Sequence, residues 1–167
     1  EGIRAKHVVF AEGFGLKNNP FFNKLPLVGN KGELLTIKAP DLKIDTILKS
    51  SVFIIPLGND LYRVGATYNW SDKTSTTTKE AKEELLNKLD KIIKCPYEVV
   101  SQEAGIRPTV SDRKPLVGQH PVYEHMYVLN GLGTHGVMNA PYVAEQLYGF
   151  IEKGSTLDKE IDIKRFQ

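Results

Sequence analysis

The chain has 167 residues, 41% of them apolar and 25% charged, with a net charge of +2 and a pI near 8.6; this is an ordinary globular balance, enough for one core or two small ones. The mild charge and the absence of a Lys/Arg cluster argue against a nucleic-acid partner, and a single cysteine, Cys95, excludes a disulfide framework or a multi-thiolate metal site. The four histidines (His7, His120, His125, His135) show no H-x-x-x-H spacing, so no metal is expected, and no run approaches the roughly 18 apolar residues of a membrane span, so no membrane partner and a cytoplasmic location are expected.

In chain order, the opening EGIRAKHVVFAEG carries no initiator methionine and reads as part of a longer or processed protein. Residues 7–11 (HVVFA) suggest a short buried strand ending in a glycine turn at Gly13. Residues 16–30 are loop-like, with Phe21 and Phe22 as core anchors. Residues 32–38 (GELLTIK) read as a strand, 46–56 as one or two more, and Gly58-Asn59-Asp60 as a hairpin turn returning along 61–68 (LYRVGATY). On that strand Gly65 marks a close approach by a ligand or a neighbouring backbone. A capping box at Thr77 and Glu80 predicts a helix to about Lys94, with Ala81, Leu85, Leu89 and Ile92 on its apolar face. Cys95-Pro96 stops it, and 97–106 is a further strand.

Residues 126–151 combine a short apolar strand, the glycine loop 131–136 (GLGTHG) and an amphipathic helix. Val137, Ala140, Ala144, Leu147 and Ile151 recur at i, i+3/i+4. Pro141 is most easily placed in the first turn, which puts the helix start near Val137. A bare helix N-terminus offers unpaired N–H groups and about half a positive charge, so the loop suits an anion or an electron-rich carbonyl. The same glycines also suit a tight strand-to-helix packing turn. A dinucleotide fingerprint is excluded, because no second strand with an acidic residue about 20 positions on follows the loop.

The β-rich middle between two α/β-like ends suggests an inserted antiparallel domain. Four separated stretches then align in order with one family. They are 8–13 (VVFAEG); 53–56 (FIIP) with 64–67 (VGAT); 104–118, containing Ala104-Gly105-Ile106-Arg107-Pro108, Asp112 and Pro115-Leu116-Val117-Gly118; and 131–141. Together they resemble the C-terminal half of the flavin-dependent D-amino-acid oxidase superfamily, which includes glycine and sarcosine oxidases. The third block, a G-x-R-P-x-x-x-D-x-x-P-x-x-G pattern, is the most specific.

The resemblance implies an α+β fold: an antiparallel substrate domain with helices, plus the C-terminal strand–loop–helix part of a flavin-binding α/β domain. It implies domain limits at 1–15 and 106–167 for the flavin side and 16–105 for the substrate side. FAD is the expected cofactor, and the missing N-terminal half of the same protein, which would carry the phosphate-binding fingerprint, is the expected partner. The chain alone is expected to bind FAD poorly and to be inactive, and an uncovered apolar face would favour a homo-oligomer. The expected activity is oxidation of a small amine or amino acid by hydride transfer to flavin. A modified nucleoside or other non-amine substrate is the alternative, as is a non-enzymatic binding module.

The implied cofactor contacts are Gly13, Gly131, Gly133, Thr134, His135, Gly136 and Val137, with the loop N–H groups facing the electron-rich edge of the flavin ring. Arg107 is the implied carboxylate anchor, since a guanidinium fork fits a carboxylate; a structural pair with Asp112 is the competing reading. Tyr68 or Tyr62 would supply a substrate-facing hydroxyl, and sheet packing is the competing reading for both. His135 would donate to the ring or cap the helix. No catalytic acid–base side chain and no metal ligand is expected. The sequence departs from the glycine-oxidase pattern at Phe53, where an aromatic hydroxyl is common, and at Thr134, where an arginine is common.

Overall fold

A computed structural model describes residues 2–166. Its elements are β1 (Val8–Phe10), β2 (Asn30–Lys38), β3 (Leu48–Lys49), β4 (Phe53–Gly58), β5 (Leu61–Gly65), α1 (Lys79–Leu89), β6 (Glu98–Arg107), β7 (Leu116–Gln119), β8 (Met126–Asn130) and α2 (Gly136–Lys153), with short 3₁₀ turns at Gly13–Asn18, Gly133–His135 and Ile163–Phe166. Two compact units form: Asn30–Ile106, and the chain up to Gly29 together with the chain from Arg107 on. The first crossing thus falls after Gly29 rather than after Gly15. The intervening segment is held by its own side chains, since Leu16, Phe22 and Leu27 are buried with Val110, Leu116 and Val128 of the same unit.

The middle unit is a five-stranded sheet in the order β3-β4-β5-β2-β6. β4 and β5 form a hairpin whose central residues, Asn59 and Asp60, both have positive φ, the type I′ geometry that matches strand twist. Strand alternation sets the core: Leu35 and Ile37 of β2, Ile54 of β4, and Tyr62 and Val64 of β5 are buried against Leu85 and Leu89 of α1. Truncating Leu85, which is fully buried, to alanine is expected to cost about 2–5 kcal/mol, read from chemical denaturation. β5 stops at Gly65, three residues short of the strand expected from sequence. Gly65 is indeed a close-approach point, but for side chains: a Cβ there would overlap Leu34 and Phe53.

The N-cap lies one residue later than the expected capping box, and no box closes there. The N-cap is Thr78, whose Oγ1 accepts from the Ala81 N–H at 3.3 Å. Its own N–H donates to Glu33 Oε2 at 2.9 Å. Helix α1 ends at Leu89 rather than near Lys94; beyond its end Ile93 is buried in the same core, with Ile92 partly buried against it. Cys95 is half-buried against this core.

The other unit holds a three-stranded sheet in the order β1-β8-β7, with β1 parallel and β7 antiparallel to β8. Its pleat divides two cores. Val117 and Tyr127 face Val143 and Leu147 of α2. Leu116 and Val128 face the 3₁₀ and loop segments that carry Leu16, Phe22 and Ile163. β1 is an edge strand with Val8 and Val9 exposed, not a buried one.

In α2 the buried stripe is Val143 and Leu147, flanked by half-buried Phe150 and Ile151. Ala144 and Val137, assigned to that stripe by spacing, are exposed. The helix starts at Gly136, which puts Pro141 in the second turn, one turn deeper than its missing N–H favours.

Candidate functional site

The glycine loop leaves the end of β8 and is pinned on three sides within its unit. The Asn130 Oδ1 accepts from the Gly131 N–H at 2.7 Å, while Asn130 Nδ2 donates to the Gly13 carbonyl at 3.0 Å. The Gly133 N–H donates to the Pro108 carbonyl at 3.0 Å, and Thr109 and Leu132 form an isolated antiparallel bridge. One asparagine therefore ties the Gly13 turn to the glycine loop, and the residues directly after Arg107 hold the loop from the other side. Of the residues singled out from sequence, the structure brings Gly13, Gly131, Gly133 and the segment following Arg107 together in this unit. Tyr68 belongs to the middle unit.

The loop runs into α2, a helix of 18 residues. Its N-cap is His135, and no side chain caps it. The His135 ring instead lies with Nδ1 at 3.2 Å from Thr134 Oγ1, so the side-chain capping role considered for His135 is not what the structure holds. The first N–H groups of such a helix have no partner within it and carry partial positive charge. Val137, 96% exposed, and Met138 stand at this end uncovered by any described residue. Beside Gly133, the buried Thr109 hydroxyl has no hydrogen-bond partner among the described residues. An orphaned hydroxyl, a glycine turn and a helix end without a side-chain cap adjoin there, an arrangement that suits the electron-rich edge of a planar ring system.

Arg107 closes β6 and is half-buried. Asp112, the partner considered for it, is taken by Arg165: Nε donates to Oδ2 at 2.8 Å and Nη2 to Oδ1 at 3.4 Å. Burial works to raise the Asp112 carboxyl, but Arg165 and the Lys114 N–H hold it below its usual range. The two tyrosines separate clearly. Tyr62 is buried in the sheet core, whereas Tyr68 is 61% exposed.

Sequence reasoning missed a buried charge cluster in the middle unit. Lys31, 1% exposed, stands within 2.5 Å of Asp72 Oδ2 and 3.6 Å of Glu33 Oε1, and its Nζ also donates to the Thr76 carbonyl. The Glu33 carboxylate accepts from the Thr78 N–H, the Thr78 hydroxyl and Gln102 Nε2 at 2.8–2.9 Å. The available signal was the alternation 31, 33, 35, 37, which puts Lys31 and Glu33 on the same strand face as Leu35 and Ile37.

The hydrogen bond from Lys31, helped by the Thr74 N–H, pulls the Asp72 carboxyl down to about 2, and the same bond raises the Lys31 ammonium above its ordinary value. Because the folded Asp72 titrates below its ordinary 3.8, its contribution to stability is complete above about pH 4 and is lost as pH falls toward 2. Asp72→Asn is therefore expected to lower stability at pH 7 and to flatten its fall between about pH 4 and pH 2, measured by urea unfolding across that range.

Among the described residues no cluster of His, Cys, Asp and Glu suits a metal ion, and no helix is long and apolar enough to cross a membrane.

The family model for DAO, FAD dependent oxidoreductase, matches residues 1–148. The tRNA 5-methylaminomethyl-2-thiouridine biosynthesis bifunctional protein MnmC of Idiomarina loihiensis is 30% identical over 151 residues, covering 86% of this chain and 25% of that protein. Glycine oxidase of Bacillus subtilis is 28% identical over 146 residues, covering 83% of this chain and 39% of that one. The crystal structure of glycine oxidase from Geobacillus kaustophilus superposes with a TM-score of 0.76 at 23% identity, over 98% of this chain and 45% of that one. The chain thus spans from a quarter to under half the length of these proteins.

Proposed function

Because the chain belongs to the FAD-dependent oxidoreductases of the DAO family, we propose that it forms the C-terminal portion of an enzyme that oxidises a small amine or amino acid. The observation that carries this reading is the uncapped N-terminus of α2 behind the glycine loop, with the orphaned Thr109 hydroxyl beside Gly133. The flavin, when bound, supplies the acceptor for a hydride from the carbon bearing the amine. The residues that would hold its ring edge are Gly13, Gly131, Gly133, Thr134, His135, Gly136 and Val137. The Gly131 and Gly133 N–H groups are already paired with Asn130 and Pro108, so the positive end of α2 and the Thr109 hydroxyl stabilise negative charge developing on that edge, and the loop glycines leave room for it to approach. Arg107 anchors the substrate carboxylate through its guanidinium fork, and the Tyr68 hydroxyl orients the substrate. The middle unit serves as the substrate domain, and the unit containing both sheet β1-β8-β7 and α2 serves as part of the flavin domain.

The 30% identity to a tRNA-modification protein favours a second reading, in which the amine is carried on a modified nucleoside. Anaerobic mixing of the full-length protein with glycine, sarcosine, other small amino acids and aminomethyl-uridine nucleosides tests both. Bleaching of the flavin band by a free amino acid supports the first reading. Bleaching by the nucleosides alone supports the second, and bleaching by none contradicts both.

A further inference from the structure

Residues 66–78, which join β5 to α1, include no helix and no strand longer than a single bridge. They are nevertheless tightly held. The Lys31 and Asn69 backbones exchange two hydrogen bonds of 2.9 Å. The Asn69 Oδ1 accepts from the Ser71 N–H, the Ser71 hydroxyl and the Asp72 N–H. The Asp72 Oδ1 accepts from the Thr74 N–H at 2.7 Å. From below, the Lys31 ammonium gathers Asp72, Thr74 and the Thr76 carbonyl, and Glu33 gathers Thr78. The outward side of this strap carries two large aromatic residues, Tyr68 and Trp70, the latter 51% exposed.

A buried ammonium is a costly way to stabilise a sheet. Lys31 continues the apolar row of Leu35 and Ile37, where an aliphatic side chain would avoid the desolvation cost. What the charge supplies, and an aliphatic side chain cannot, is a set of directional donors that fix one arrangement of an otherwise ladder-free segment. We propose that Lys31 is a positioning residue: acting through Asp72, Thr74 and Thr76, it fixes the 66–78 strap, and Trp70 with it, so that Tyr68 is presented to the substrate in one geometry. This assignment rests on the amine-oxidase reading for what the strap meets, but the latch itself does not depend on it.

Trp70 is the sole tryptophan of these 167 residues, so in the full-length protein, with any tryptophan outside them replaced by phenylalanine, its fluorescence anisotropy and acrylamide quenching report on the strap directly. Lys31→Met is expected to lower the anisotropy and to raise the quenching constant about twofold, and Lys31→Arg, which keeps charge and donors, to restore much of both. In the full-length flavoprotein, Lys31→Met is expected to raise KM for the amine about tenfold with kcat within about twofold. Asp72→Asn releases the latch from its more exposed side and provides the same readouts if Lys31→Met does not fold.

A lower melting temperature with unchanged anisotropy and unchanged KM would overturn the assignment and leave Lys31 as a structural ion only. Turnover of amines by a folded variant with a loosened strap but an unchanged KM would overturn the positioning role alone. Failure of every amine to reduce the flavin would remove the functional reading, and this assignment with it, while the anisotropy would still show whether the latch exists.

Discussion

Arg107→Ala in the full-length flavoprotein is expected to lower kcat/KM about 100-fold for an amine that carries a carboxylate, and far less for the same amine without one. A charge-assisted bidentate pair with a carboxylate is worth about 1.5–3 kcal/mol when lost from a desolvated site, and each 1.4 kcal/mol is a factor of ten. The paired substrates make this separable from a folding defect, which would lower both rates alike. The neighbouring Asp112 is held by Arg165 through two contacts, so the local ion pair survives the substitution. Arg107→Lys keeps the charge but loses the fork and is expected to recover only a small part of the activity. Steady-state kinetics on the paired substrates measure the difference. Equal losses on both would place Arg107 in the architecture rather than on the substrate.

Gly131→Ala is expected to destabilise the protein by about 3 kcal/mol, which lowers Tm by about 10 °C for a chain of this size. Two costs add. The residue sits at φ +72°, where an L side chain is strained, and its Cβ would overlap the Val110 side chain and stand 3.1 Å from Leu116 Cγ. Both neighbours are in a closed core and cannot withdraw. Gly136 provides the contrast. It has helical φ/ψ, and a Cβ there would meet only Leu132 at ordinary contact distance. Gly136→Ala is therefore expected to leave Tm within about 2 °C while weakening flavin retention, because the added methyl stands at the helix end that the ring edge would approach. Differential scanning calorimetry and the flavin-to-protein absorbance ratio separate the two effects. Equal stability losses at both positions would contradict this division between a packing glycine and an approach glycine.

The parts of the fold that were legible in the sequence are those where a single periodicity dominates. β4, β5 and β8 are short apolar runs with turn residues at their ends, and Gly58-Asn59-Asp60 marked its hairpin. The face of α2 was misplaced because apolar residues occur around most of that helix: Val137, Met138, Tyr142 and Tyr148 are exposed while Val143 and Leu147 are buried. No single stripe stands out, and only the contact with Val117 and Tyr127 selects one. The N-cap moved from Thr77 to Thr78 because Glu33, 45 positions away in sequence, holds the Thr78 N–H and hydroxyl. Lys31 was missed for a similar reason. A lysine at the start of a strand reads as solvated, and its burial depends on Asp72 and Thr76 returning to it from a distant loop. In the site, the glycine loop was visible as a motif, but the Asn130 clasp and the orphaned Thr109 hydroxyl are tertiary facts with no local signature.

The central claim is that the loop and helix end at 131–138 are built to hold the edge of a flavin in an amine-oxidising enzyme. Its most direct test is the visible spectrum of the full-length protein, purified without added cofactor and then mixed anaerobically with small amino acids, glycine and sarcosine. The account predicts an oxidised flavin spectrum that one of these amines bleaches. A protein that carries no flavin, and takes none up on reconstitution with FAD, would contradict it.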